Sequence, residues 1–139
     1  MTRILILCTG NSCRSQMAMG YLQSLSEALD VHSAGTNPTT QVHPLAIKAM
    51  AEVGVSLENA KPKSVVQYLD QQWDYVITVC GGANENCPAF IGKVGQRLHI
   101  GFDDPASATG TEEQQIVVFR RVRNEIMSRM KTFYEEITI

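Results

Sequence analysis

Little in this chain is extreme, and each missing extreme closes a class of function. Twelve Lys and Arg stand against 14 Asp and Glu, for a net charge of −2. No broad field therefore invites nucleic acid or an anionic membrane. No apolar run is long enough to span a bilayer. Met1-Thr2-Arg3-Ile4 leads straight into a strand pattern without a signal-like apolar stretch and cleavage site, so the cytoplasm is the expected compartment. Short CxxC pairs are missing. The four cysteines are Cys8, Cys13, Cys80 and Cys87, and the spacings within each pair are five and seven positions. That argues against structural zinc. The three histidines, His32, His43 and His99, form no ligand pattern, so neither metal nor cofactor is expected. Internal repeats, low-complexity tracts and linkers are absent too.

What remains is a chain of 139 residues, 44% apolar, suited to one domain over residues 1–139. In a cytosolic chain, four cysteines point to catalysis or redox chemistry before a disulfide framework. Arg3–Leu7 reads as a first strand and Ser15–Ala28 as a helix. Val31–Ala34 is a second strand ending at Gly35. Pro44 opens a helix carrying Leu45, Ile47, Met50 and Val53, closed by Gly54. Ser64–Leu69 reads as a short helix, Tyr75–Val79 as a buried strand, and Arg97–Phe102 as the segment holding the last strand. Thr111-Glu-Glu-Gln114 is a capping-box pattern. It starts a long helix whose stripe is Phe119, Val122, Ile126, Met130 and Phe133. The alternation predicts an α/β domain with a four-stranded parallel sheet flanked by helices on both faces.

Such sheets build their sites at the carboxyl ends of the strands. Cys8 follows the first strand there, Cys80 the third and Asp104 the fourth. The loop Cys8-Thr9-Gly10-Asn11-Ser12-Cys13-Arg14-Ser15 joins a strand to a helix N-terminus. Successive backbone N–H groups and the helix dipole favour an anion at that point, and Arg14 adds a fork for a tetrahedral oxyanion. Cys8 sits at the floor of the cradle, where the same field favours thiolate. Gly10 and Asn11 suit the tight backbone. An acid at Gly101-Phe-Asp-Asp104-Pro105 is placed to protonate a leaving oxygen. Asp103 and Asp104 compete for that role, and Asp before Pro also opens turns. Asp104 is the choice, with Asp103 in support. Cys80 and Cys87 bracket Gly81–Asn86. They are either unrelated or a relay in which Cys80 meets Cys8 and then Cys87. A relay requires that segment to move, because a disulfide needs Cα atoms within about 7 Å.

These residues resemble the thioredoxin-coupled arsenate reductases, built on the low-molecular-weight protein tyrosine phosphatase fold. The resemblance rests on Cys8 through Ala18, Ser33-Ala-Gly35, Ala49-Met50 with Glu52-Val-Gly54, and Thr78-Val-Cys80. Cys87-Pro88, Gly101 through Ala106, and Phe119 through Ile126 complete it. It implies that Cys8 attacks arsenate, with phosphate or sulfate as analogues, while Arg14 and the loop amides hold the oxyanion and Asp104 assists loss of hydroxide. Cys80 then attacks Cys8 and releases arsenite. Cys87 attacks Cys80, and thioredoxin reduces the Cys80–Cys87 disulfide. Ser15 would orient the thiolate and Asn11 stabilise the loop; Cys13 is not needed. Some relatives hold potassium beside the loop with a Glu and an Asp. Met19 and Lys63 stand there in this chain, and Lys63 is a candidate substitute for the cation. A monomer is expected.

Two other readings use the same residues. A phosphotyrosine phosphatase would normally carry aromatic residues after the Asp-Pro pair, where Ala106-Ser107-Ala108 stand, and has no use for Cys80 and Cys87. A non-catalytic oxyanion or redox sensor would not need Asp104.

Overall fold

A computed structural model describes residues 1–138 of the chain. Four strands form one parallel sheet in the order β2-β1-β3-β4: β1 Thr2–Cys8, β2 Leu29–Gly35, β3 Trp73–Thr78 and β4 Val94–His99. The helices are α1 Arg14–Leu25, α2 Pro44–Ala51, α3 Gly81–Asn86 and α4 Glu112–Ile137. In the register, Ile4 faces Val31 on one side and Tyr75 on the other, and Leu7 faces Ala34 and Thr78. β1 is thus central and covered on both faces. That explains why Ile4-Leu5-Ile6-Leu7 is a continuous apolar run, each side chain fully buried, rather than an alternating one.

α1 packs on α2, α4 and β2, while α3 lies against β1 and β3. Thr111 caps α4 as its pattern predicts. Its hydroxyl accepts from the Gln114 N–H at 3.2 Å, and Gln114 Oε1 accepts from the Thr111 N–H at 2.9 Å. The stripe Phe119, Val122, Ile126, Met130 and Phe133 is buried throughout. At about 1.5–3 kcal/mol for each fully buried side chain, it is a principal fastening of the helix to the core.

Several boundaries differ from the sequence reading. α1 ends at Leu25, not Ala28. There the Gln23 side-chain amide donates to the Ser26 and Leu29 carbonyls and turns the chain into β2. α2 stops at Ala51, so Val53 falls outside it and is 38% exposed. Gly54 supplies the left-handed turn, with φ +81°. β4 begins three residues before Arg97 and ends at His99. It is an edge strand with Gly95, Gln96 and Arg97 exposed, so it lacks the apolar run that marked the other strands. His99 is exposed. Ser64–Leu69 contains a single 3-10 turn, Val65–Tyr68, with Ser64 as its cap. Gly81–Asn86, expected as a pliable connection, is helical.

Candidate active site

The Cys8–Arg14 loop is shaped by where its carbonyls go. The carbonyls of Cys8, Thr9, Gly10 and Ser12 accept from the N–H groups of Thr36, Asn37, Thr39 and His43, at 2.9 to 3.2 Å. With its carbonyls tied to the segment after β2, the loop keeps its amides for something else. Among the described residues, no protein acceptor takes the N–H groups of residues 10–13. This is the geometry of an anion nest at a helix N-terminus. Asn11 makes the turn at φ +53°, a conformation Asn tolerates better than most residues. It is fully buried, and four bonds hold it. Its Nδ2 donates to Ser15 Oγ at 2.8 Å and Ser33 Oγ at 3.0 Å. Its Oδ1 accepts from Gln16 Nε2 at 3.0 Å and the Lys63 N–H at 2.9 Å. Gly35 is required beside the loop, because a Cβ there would overlap the Thr9 carbonyl.

Arg14 donates to the Phe102 carbonyl at 3.0 Å, and its other terminal nitrogen lies 3.9 Å from Asp104 Oδ2. The loop after β4 thus holds the guanidinium between Phe102 and Asp104. Asp104 Oδ1 also accepts from the Ala106 N–H at 3.0 Å. Asp103 turns outward to Arg121 at 3.3 Å and is 74% exposed.

Cys8 and Cys80 are both buried at the carboxyl ends of the neighbouring strands β1 and β3, and each influences the other's titration. Cys80 Sγ is 3.3 Å from Thr9 Oγ1 and accepts from the Ala83 N–H at 3.4 Å, capping α3. The two thiols behave as one titrating pair. The Cys80 partner pushes Cys8 up, burial adds to this, and Arg14 and the Thr9 amide oppose it. Cys80 is pulled down by Cys8 first, against burial, and by Thr9 and the helix amides. Burial pushes Cys13 up to about 11, consistent with an inert role.

Cys87 closes α3 at its other end and is half-buried. Burial raises its pKa, and Arg97 opposes that. The structure therefore brings together Cys8, Cys80, Arg14 and Asp104, and sets Cys87 one short helix away. Ser15 is placed differently from expectation: its recorded partner is Asn11, not Cys8. Gln16 was missed altogether. It is buried and binds the Asn11 carbonyl, Asn11 Oδ1 and the Lys61 carbonyl at 3.0 to 3.2 Å. Its burial next to the loop is not marked by any local pattern.

The residues beside Asn11 do not fit a potassium ion. Ser33 Oγ donates to Met19 Sδ at 3.4 Å. Lys63 is half-buried, and its ammonium donates to the Lys61 carbonyl at 3.2 Å. Asn11 Oδ1 already takes two N–H donors. Gln16 Oε1 is a buried acceptor without a partner among the described residues. Met19 and Lys63 supply no carboxylate for a cation at this position. No group of three or more His, Cys, Asp or Glu among the described residues is arranged to hold a metal. No helix among them is long and apolar enough to cross a membrane.

Comparison with known proteins places these features. Residues 3–138 match the model of the low molecular weight phosphotyrosine protein phosphatase family. An arsenate reductase of Halalkalibacterium halodurans is 49% identical over 133 residues, which cover 95% of this chain and 94% of that one. A solved arsenate reductase in the phosphate binding state superposes with a TM-score of 0.82 at 29% identity, covering 99% of both chains. A thioredoxin-dependent arsenate reductase of Corynebacterium glutamicum gives 0.71 at 27% identity, over 99% of this chain and 62% of that one.

Proposed function

The chain belongs to the low molecular weight phosphotyrosine protein phosphatase family, and within it we propose an arsenate reductase that works through Cys8, Cys80 and Cys87 and is recharged by thioredoxin. The observation that carries this reading is a second buried thiol at the nest, Cys80, whose Sγ lies 3.3 Å from Thr9 Oγ1, the residue next to Cys8. Phosphoryl transfer needs one thiol there; reduction needs the second.

The chemistry follows from the positions. Arsenate enters the nest, held by the loop amides and Arg14. Cys8 thiolate attacks arsenic, and one oxygen leaves as water with a proton supplied by Asp104. Cys80 thiolate then attacks Cys8 Sγ. The S–As bond breaks, its electron pair stays on arsenic, and arsenite departs as As(III). Cys8 and Cys80 are left oxidised as a disulfide. Cys87 thiolate attacks Cys80 Sγ, and Cys8 leaves as thiolate. The dithiol of thioredoxin reduces the Cys80–Cys87 disulfide in turn.

Cys80 and Cys87 cap opposite ends of α3. Seven helical steps put them about 10 Å apart along the axis. A disulfide tolerates about 7 Å between Cα atoms, so α3 unwinds in the last internal step. The deciding experiment is arsenate-dependent NADPH oxidation with thioredoxin and thioredoxin reductase, set against glutathione and glutaredoxin. Turnover with thioredoxin, lost in Cys8→Ser, is the expected result. Phosphotyrosine hydrolysis without arsenate reduction would overturn it.

A further inference from the structure

Cys80 and Cys87 occupy opposite ends of one helix, and the two ends treat an anion oppositely. At the N-terminal end, amides stabilise a thiolate, and Cys80 accepts from the Ala83 N–H. At the C-terminal end the unpaired carbonyls disfavour it. Cys87 is therefore a nucleophile in the wrong place, and it is half-buried as well. Among the described residues the hydrogen-bond partner of its thiol is the Pro88 carbonyl, at 3.6 Å.

One cation corrects this. Cys87 opens into a cavity of about 250 Å³ also lined by Arg97, His99, Thr78 and Asn84. The Arg97 guanidinium lies over the Phe90 ring, 5.4 Å from its centroid, three residues beyond Cys87. No carboxylate among the described residues is within ion-pair distance of Arg97. Its charge is thus free to act on the cavity, and its field works against the rise that burial imposes on Cys87. His99 also faces the cavity from β4, but its Nδ1 is engaged with Thr78 Oγ1 at 2.8 Å. From α3 the cavity receives the neutral Asn84, while Glu85 is exposed and does not line it.

We propose that Arg97 is a positioning residue for the last internal step, its guanidinium supplying Cys87 with the positive field that Cys80 takes from the helix N-terminus. The proposal rests on the reading of Cys87 as the thiol that resets Cys8. In that step Cys87 thiolate bonds to Cys80 Sγ, the Cys8–Cys80 bond breaks, and Cys8 leaves with the electron pair. Only thiolate attacks, so a field that populates thiolate sets the rate.

The test uses the reduced full-length chain and needs no arsenate. Each cysteine's alkylation by iodoacetamide is followed against pH by peptide mass spectrometry. Arg97→Gln is expected to move the Cys87 midpoint to higher pH and slow its alkylation severalfold at neutral pH, leaving Cys80 unchanged. Arg97→Lys, which keeps the charge, is expected to restore most of the rate. In turnover with arsenate, Arg97→Gln is expected to accumulate the Cys8–Cys80 disulfide. An unmoved Cys87 profile in Arg97→Gln overturns the proposal, as does a profile that follows His99→Asn instead. A shift that Arg97→Lys fails to restore overturns it too, since the stack on Phe90 rather than charge would then be responsible. Absence of arsenate reduction in the parent chain would sink the functional reading, while the alkylation profile would still judge Arg97 on its own.

Discussion

Arg14 reaches to within 3.9 Å of Asp104 Oδ2, whereas the adjacent Asp103 is drawn away to Arg121 on α4 at 3.3 Å. Two neighbouring carboxylates of one loop thus serve different elements. Asp104 stays beside Arg14, the position that the proposed reaction asks of a proton donor.

Asp104→Asn is expected to lower turnover by about 10²–10⁴-fold, the usual worth of a general acid, with oxyanion binding and melting temperature little changed. Asp103→Asn removes only an exposed ion pair and is expected to leave turnover within about twofold, in line with the small worth of such pairs. Steady-state rates of the two variants, with phosphate inhibition as the binding control, check the assignment. The opposite ranking would hand the role to Asp103.

How much of this was legible beforehand depended on whether a signal was local. The strand-loop-helix around Cys8 is one continuous stretch with its own apolar flanks, and its element types stand as read, although α1 ends at Leu25 rather than Ala28. Thr111 and the α4 stripe are local for the same reason. β4 was misplaced because an exposed edge strand has no apolar run to show. The helical state of Gly81–Asn86 was hidden because two glycines disfavour a helix intrinsically. It forms where Cys80 caps it and Ala83 is buried against the sheet. The coupled titration of Cys8 and Cys80 joins residues 72 positions apart, and no local pattern encodes it.

Glu52 ties α2 to α4. It accepts from Arg120 at 2.7 Å and from Arg123 at 2.9 Å. These hydrogen bonds, Arg120 first, pull its pKa from 4.5 to about 2. A folded-state value below the unfolded one means stability that is present above pH 4.5 and lost as pH falls toward 2. Glu52→Gln should therefore melt lower than the parent at pH 7, with the gap closing across that window. Thermal melts at pH 7, 4 and 2.5 provide the check; a constant gap would show that shape, not charge, matters at this position.

Met19 and Lys63 put no carboxylate beside the loop to hold a monovalent cation. Melting temperature and turnover are expected to be indifferent to potassium against sodium at equal ionic strength. Gln16→Ala, by contrast, should cost about 1–3 kcal/mol, because Asn11 and the Lys61 carbonyl lose a buried donor. Calorimetry in the two salts tests the first point and denaturant titration the second. A saturable potassium effect would contradict the exclusion.

The sharpest division lies in the relay. Cys80 caps α3 and is a second buried thiol at the nest, so Cys80→Ser should abolish arsenate reduction while preserving any phosphatase side activity, which needs only Cys8, Arg14 and Asp104. Cys87→Ser should allow about one turnover before stalling as a Cys8–Cys80 disulfide, since no third thiol remains to free Cys8. Peptide mapping after a single addition of arsenate distinguishes that stall from an inert enzyme. In the parent chain, oxidation should abolish the α3 helix, because Cys80 and Cys87 cannot bond across its length. Amide hydrogen exchange over residues 80–87 should then rise in the oxidised form. Repeated thioredoxin-driven turnover by Cys87→Ser would remove the three-thiol mechanism. An α3 equally protected in both redox states would remove the unwinding step, because a helix that stays formed keeps its two capping cysteines too far apart to bond.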